Sequence, residues 1–238
     1  MRSRRLLQAA IALLVLGALL HTLAFWHLHA MKPTPALTEL PVALSLMAWI
    51  GAVFYLLLLL RVKGAGLAAL VAPAAFLGAF TASLQLPGGS PAVQQHPLWS
   101  HLHVLLASGG FALLGVAGAA GVLYVAHDRE IKGKRRSAVR STLPALETLD
   151  RVNGLALAVG YLLLSLGMVT GIVWVYASEA RLWPGTWHAN ATLVAWIVYA
   201  AVLYARFGAN QGSRRSALQS AVGFGVLLVA VLGVGLLS

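Results

Sequence analysis

The sequence predicts an all-α, polytopic membrane protein of seven transmembrane helices, with its N-terminus inside and its C-terminus outside. Three observations carry this expectation. Hydrophobic residues make up 60% of the 238 residues and charged residues only 10%, whereas soluble domains carry about 25% charged residues. Seven stretches supply the roughly 20 mostly apolar residues that a helix needs to cross a bilayer. The Lys and Arg residues fall on alternate connections between those stretches, as the positive-inside rule requires.

The first stretch, Leu6–Trp26, follows Arg2, Arg4 and Arg5. Those arginines could be the n-region of a signal peptide, but the apolar run exceeds the usual h-region and no A-x-A-like site follows, so a retained helix is expected. Leu40–Leu60 is the second span and Gly66–Gln85 the third, with Pro73 expected to kink it. The fourth, Leu98–Ala126, is long enough to tilt or extend beyond the bilayer. It carries Ser108, Gly109, Gly110, Gly115, Gly118 and Gly121, small residues that let helix backbones approach closely. Val152–Ala177, Ala189–Ala205 and Ser216–Leu237 complete the set. Residues 1–238 thus form one integral membrane domain, whose sizeable connection is the basic cytoplasmic loop 127–151. Within it Pro144 suits the first turn of a short helix. The spacing of Leu143, Leu146 and Leu149 would lay that helix along the membrane surface.

Fifteen of the seventeen Lys and Arg residues fall on one side, and only Lys32 and Arg181 on the other. The net charge of +11 is therefore spread over short clusters between apolar runs. That pattern suits an anionic leaflet and excludes a nucleic-acid partner. The chain has no cysteine, so it has no disulfide and no C-x-x-C-H for covalent haem attachment.

None of the seven stretches contains Asp, Glu, Lys or Arg, which argues against an ion-coupled pump. Histidine is what they and their outer connections contain: His21, His27, His29, His96, His101, His103 and His188, with His127 alone at the inner end. His21 lies five residues before the outer end of the first span and His103 five residues after the outer start of the fourth. At 1.5 Å per residue both sit about 7–8 Å below that surface. Two imidazoles at matched depth could ligate one haem iron axially if their helices are neighbours; each could equally be an interfacial, hydrogen-bonded residue. His101 and His103 point to nearly opposite helix faces, so only one of them faces the bundle. His27 and His29 are expected in a solvated loop, their H-x-H pattern being weak as a metal site without further ligands. The segment Arg181–His188 reads R-L-W-P-G-T-W-H. Trp183, Trp187 and His188 fit an aromatic belt at the membrane surface, or a platform for stacking a flat hydrophobic ligand.

From Leu98 onward the chain resembles the cytochrome c assembly family of membrane proteins, the CcsA/ResC and HemX-like group with its short YpjD-type branch. Four segments carry the resemblance: W-S-H-L-H-V-L-L-A-S-G-G-F-A-L (Trp99–Leu113), L-P-A-L-E-T-L-D-R-V-N (Leu143–Asn153), G-Y-L-L-L-S-L-G-M-V-T-G-I-V-W (Gly160–Trp174) and A-W-I-V-Y-A-A-V-L-Y-A-R (Ala195–Arg206). L-H-T-L at Leu20–Leu23 is similar to the histidine-bearing first helix of the short branch, which usually has one further helix ahead of it. The resemblance implies haem presented at the outer face, stacked on a tryptophan-rich segment and ligated by flanking histidines. His103 matches the first flanking histidine and Trp183 one tryptophan of that segment. Thr186, Trp187 and His188 stand where the family has D-P-K, Tyr204 stands where a haem-ligating histidine is expected, and the second flanking histidine would fall beyond Ser238.

The expected role is that of a haem-binding or haem-handling protein of a bacterial inner membrane, taking haem b. Its axial ligands would be His103 and His21, with His188 as a substitute, and Trp183 and Trp187 would stack on the ring. Location alone suggests Lys32 or Arg181 for the propionates. Two other readings stay open: an accessory subunit that keeps the family fold without haem, and a divalent-metal protein using the outer histidines. The expected partners are the bilayer, haem and another membrane protein of a cytochrome assembly or other inner-membrane complex. No nucleophile–base pair or phosphate loop is found, so no enzyme is expected.

Overall fold

The computed structural model describes residues 2–30, 40–60, 67–84, 97–133, 144–209 and 211–237. Within them there are helices and no strand: α1 (Arg2–Ala30), α2 (Leu40–Leu59), α3 (Ala68–Leu84), α4 (Pro97–Lys132), α5 (Leu146–Glu179), α6 (Trp187–Leu203), a π-helical turn (Tyr204–Gly208) and α7 (Ser213–Leu237). Among the described residues five helices are long and apolar enough to cross a membrane: α1, α2, α4, α5, and α6 with its π turn. The other two expected spans fall on α3 and α7. The 17 residues of α3 reach about 26 Å at 1.5 Å per residue, short of the roughly 30 Å hydrocarbon core. Pro73 lies inside it.

The centre of the bundle is α4, which packs along α5, α7 and α2. Its glycines decide how closely. A Cβ on Gly110 would stand 2.6 Å from the Leu164 nitrogen, and one on Gly167 of α5 would stand 2.8 Å from the Ala107 nitrogen. Only glycine permits backbones to meet at that range. On another face of α4, Gly118 gives way to the Phe224 ring and Gly121 to the Ala217 carbonyl, both on α7. Tyr55, Leu114, Leu149, Leu157, Leu164 and Tyr199 fill the core between these elements. Helix α1 is peripheral, with Leu13, Leu19, Leu23 and Trp26 exposed, as side chains facing lipid are.

Helix α4 runs on to Lys132 and α5 begins at Leu146, both inside the stretch 127–151 expected as a loop, and the surface helix assigned to it is corrected. Leu146 opens α5 itself, and Leu149 is fully buried in the core. Nothing between Leu146 and Glu179 breaks the helix, so its first turn is drawn inward by that leucine. Leu143 lies outside the described residues. From inside the last turns of α4, the His127 Nδ1 donates to the Pro144 carbonyl at 3.1 Å. The H-x-H segment is also corrected: His27 and His29 belong to the last turns of α1 and not to a loop, and His27 is exposed.

Beside that loop the helix ends are joined by a polar clamp. The π turn directs Arg206 inward, where its Nη2 donates to the Asp150 carboxylate at 2.9 Å and the Asp150 carbonyl at 3.0 Å. Its Nη1 donates to Asn153 Oδ1 at 2.9 Å and Ser216 Oγ at 2.8 Å. Asn153 in turn donates to the Ala117 carbonyl at 2.7 Å, so α4, α5, the π turn and α7 are linked through one guanidinium. Gly154 makes the room, since a Cβ there would stand 2.7 Å from Arg206 Nη2. Removing one partner of such a group strands the others. Arg206→Met is expected to destabilise the fold by about 2–4 kcal/mol, read as a lower unfolding midpoint in detergent. An unchanged midpoint would show that the clamp is not structural.

Candidate functional site

At the end of the bundle opposite the clamp, α5, α6 and the loop between them enclose a cavity of about 270 Å³ against α4. The loop's shape follows from three backbone positions. Ala180 ends α5 in the left-handed region at φ 54°, its N–H bonded to the Tyr176 carbonyl. Gly185 turns the chain at φ 69°, a conformation glycine adopts without steric cost. Thr186 then caps α6, its hydroxyl accepting from the Ala189 N–H at 3.3 Å. Between these points Trp183 is half-buried and its Nε1 donates to Asn190 Oδ1 at 3.0 Å. His188 is on the first turn of α6, exposed at the cavity rim.

His103 enters from α4. Its Nδ1 lies 2.8 Å from the Gly167 carbonyl oxygen. A carbonyl only accepts, so Nδ1 carries the proton and Nε2 keeps the lone pair. The Trp174 ring stands 6.0 Å away, centroid to centroid. A half-buried imidazole with one nitrogen satisfied by backbone and the other left as acceptor is arranged as metal-ligating histidines are. Ser178 Oγ, on the same wall, is buried with no hydrogen-bond partner among the described residues. Among the described residues no group of three His, Cys, Asp or Glu could hold a bare metal ion.

The structure therefore brings His103, His188 and Trp183 to one cavity. It does not bring His21 there, and the expected pairing of His21 with His103 is corrected. His21 Nε2 is 2.7 Å from Ser45 Oγ on α2, and its ring stacks on Phe25 at 5.0 Å. Trp49, one helical turn after Ser45 on α2, completes this clip, its Nε1 donating to Thr22 Oγ1 at 3.0 Å. The reason lies in helix geometry: successive residues are about 100° apart. Val104 is what α4 presents towards α2 and Phe25, so its neighbour His103 turns to α5. Trp187 is 55% exposed and outside the cavity lining. Lys32 and His96 lie outside the described residues.

Sequence reasoning missed Gly171, Trp174 and Ser178, which line the cavity from α5. Their spacing of three and four residues is the signal of one helix face. It also missed the clamp, where Asp150 and Asn153 sit in one of the four resembling segments and Arg206 ends another.

Fold and cavity together define a multi-pass, all-helical membrane protein with a histidine-bearing cavity at one end of its bundle. Residues 37–238 match the family model of the cytochrome c assembly proteins, and the chain belongs to that family. The cytochrome c biogenesis protein CcsA of Thermosynechococcus vestitus is 41% identical over 97 residues, 40% of this chain and 30% of that protein. The protein of the same name from Prochlorococcus marinus (strain MIT 9303) is 37% identical over 107 residues, 44% of this chain and 32% of the relative. That from Synechococcus sp. (strain CC9605) is 30% identical over 168 residues, covering 62% and 55%. The chain thus spans between 30% and 55% of the length of these three relatives.

Because the chain has no cysteine, one introduced thiol reports on the cavity. Thr192→Cys, on its wall, is expected to react with a small water-soluble methanethiosulfonate, whereas Tyr199→Cys, at a fully buried position, is not. Equal labelling of the two would contradict an accessible cavity.

Proposed function

We propose that this protein handles haem during cytochrome c assembly, with the cavity between α4, α5 and α6 as the haem site. The observation that carries this is the pair of imidazoles, His103 and His188, on one cavity beside Trp183. The proposed setting is a bacterial inner membrane, crossed seven times with the N-terminus inside, so that the cavity opens on the outer side. The Lys and Arg asymmetry supports that orientation.

The residues present fit the group. Haem b, when bound, supplies the iron and its electronics, while the protein supplies ligation, stacking and position. His103 offers a neutral Nε2 whose partner nitrogen is already satisfied. His188 offers a second imidazole, and Trp183 an indole held in place by Asn190. The cavity of about 270 Å³ is smaller than the roughly 300–1,000 Å³ of pockets that enclose a ligand. A haem held there would be enclosed only in part. His21, already bonded to Ser45, is assigned to joining α1 and α2. No covalent catalysis is proposed, and the partner is another membrane protein of the assembly machinery.

An absorption spectrum of the detergent-purified protein, with and without added haem, tests this. A Soret band is expected that His103→Ala and His188→Ala abolish and His21→Ala preserves. A wild type that stays colourless with added haem contradicts the proposal and favours an accessory subunit that keeps the family fold without the cofactor.

A further inference from the structure

We infer that Gly171 is a positioning residue for His103, and that with the Gly167 carbonyl it forms a backbone seat that fixes which imidazole nitrogen is free. The inference rests on the haem reading for its purpose, but its geometry stands apart from it. Gly167, Gly171 and Trp174 follow at intervals of four and three residues, so they share one face of α5. The His103 ring meets all three. Its Nδ1 donates to the Gly167 carbonyl at 2.8 Å, and its centroid lies 6.0 Å from that of the Trp174 ring, the two planes tilted by 34°. Its Nδ1–Cε1 edge lies over Gly171, where a Cβ would stand 2.7 Å from Nδ1 and 2.8 Å from Cε1.

Real Cβ atoms do not approach that closely, so a side chain at position 171 and the observed ring exclude each other. What gives way is the ring. At Gly110 and Gly167 an added Cβ would meet the backbone of the facing helix, but at Gly171 it would meet only atoms of the His103 imidazole ring. Gly171→Ala therefore leaves the α4–α5 contact intact and displaces the imidazole from its acceptor. The Gly167 carbonyl has a second donor in reach: Thr170 Oγ1 shares its one proton between the Leu166 and Gly167 carbonyls, each at 2.9 Å, so the position of that carbonyl does not depend on His103 alone. A freed imidazole loses the bond that places its proton on Nδ1, and with it the fixed direction of Nε2.

The test uses the intact 238-residue chain in detergent with ¹⁵N-labelled histidine, at alkaline pH where imidazole is neutral, with no haem added. His103→Ala identifies the His103 resonances by their loss. The wild type is expected to show His103 protonated at Nδ1, and Gly171→Ala to shift most of the population away from that tautomer. Gly109→Ala adds a methyl to α4 next to Leu163 without touching His103, and is expected to keep the wild-type pattern. A wild-type His103 protonated at Nε2, or an unchanged pattern in Gly171→Ala, overturns the inference. Optical titration with haem reads the purpose separately: Gly171→Ala is expected to weaken binding by about 10–100-fold. Absence of binding in the wild type would sink the haem reading while the tautomer measurement still decides the seat.

Discussion

Two membrane helices meet backbone to backbone only where side chains vanish, and the meeting of α4 with α5 at Gly110, Gly160 and Gly167 sets the rest of this molecule. In lipid there is no hydrophobic drive to bring helices together, so close van der Waals contact and buried hydrogen bonds take that role. The approach at Ala107 and Gly167 brings His103, one helical turn along α4, onto a carbonyl of α5. With side chains of ordinary size at those positions the ring would face a gap and not an acceptor. The same economy of side chains on another face of α4 admits α7, through Gly118 and Gly121.

The two ends of the bundle use polar groups differently. At the clamp, Arg206 spends its donors on Asp150, Asn153 and Ser216, and Asn153 passes the link on to α4. A charge shielded to this degree is a fastener. At the opposite end polar groups are left unspent: His188 is exposed, His103 keeps one lone pair, and Ser178 Oγ has no partner among the described residues. A closed network holds the helices, and an open one is where a ligand can bind.

Much of this was legible in the residues. Apolar length gave the helices, and the small residues of Trp99–Leu113 and Gly160–Trp174 announced close packing. His103 stood out because an imidazole a turn inside an apolar helix has to find a partner. The identity of that partner was not legible, because depth along two helices says nothing about rotation around them. His21 and His103 share a depth on paper, yet one faces Ser45 and the other Gly167. Arg206 read as one more cytoplasmic charge, since a π turn leaves no mark in composition. Leu149 read as a surface position because the helix start was placed six residues late, at Val152 instead of Leu146.

The α4–α5 contact can be measured directly by cross-linking. A Cβ on Gly167 would stand 3.2 Å from the Ala107 Cβ, and a slight separation of the helices brings the pair into the roughly 3.5–4.5 Å range of disulfides. In a chain otherwise free of cysteine, the pair Ala107→Cys and Gly167→Cys is oxidised in membranes. Trypsin then cuts the basic loop at Lys134, Arg135 and Arg136. The two fragments should stay joined on a non-reducing gel and separate on reduction; fragments that separate without reductant would mean that these helices do not meet where His103 requires them to.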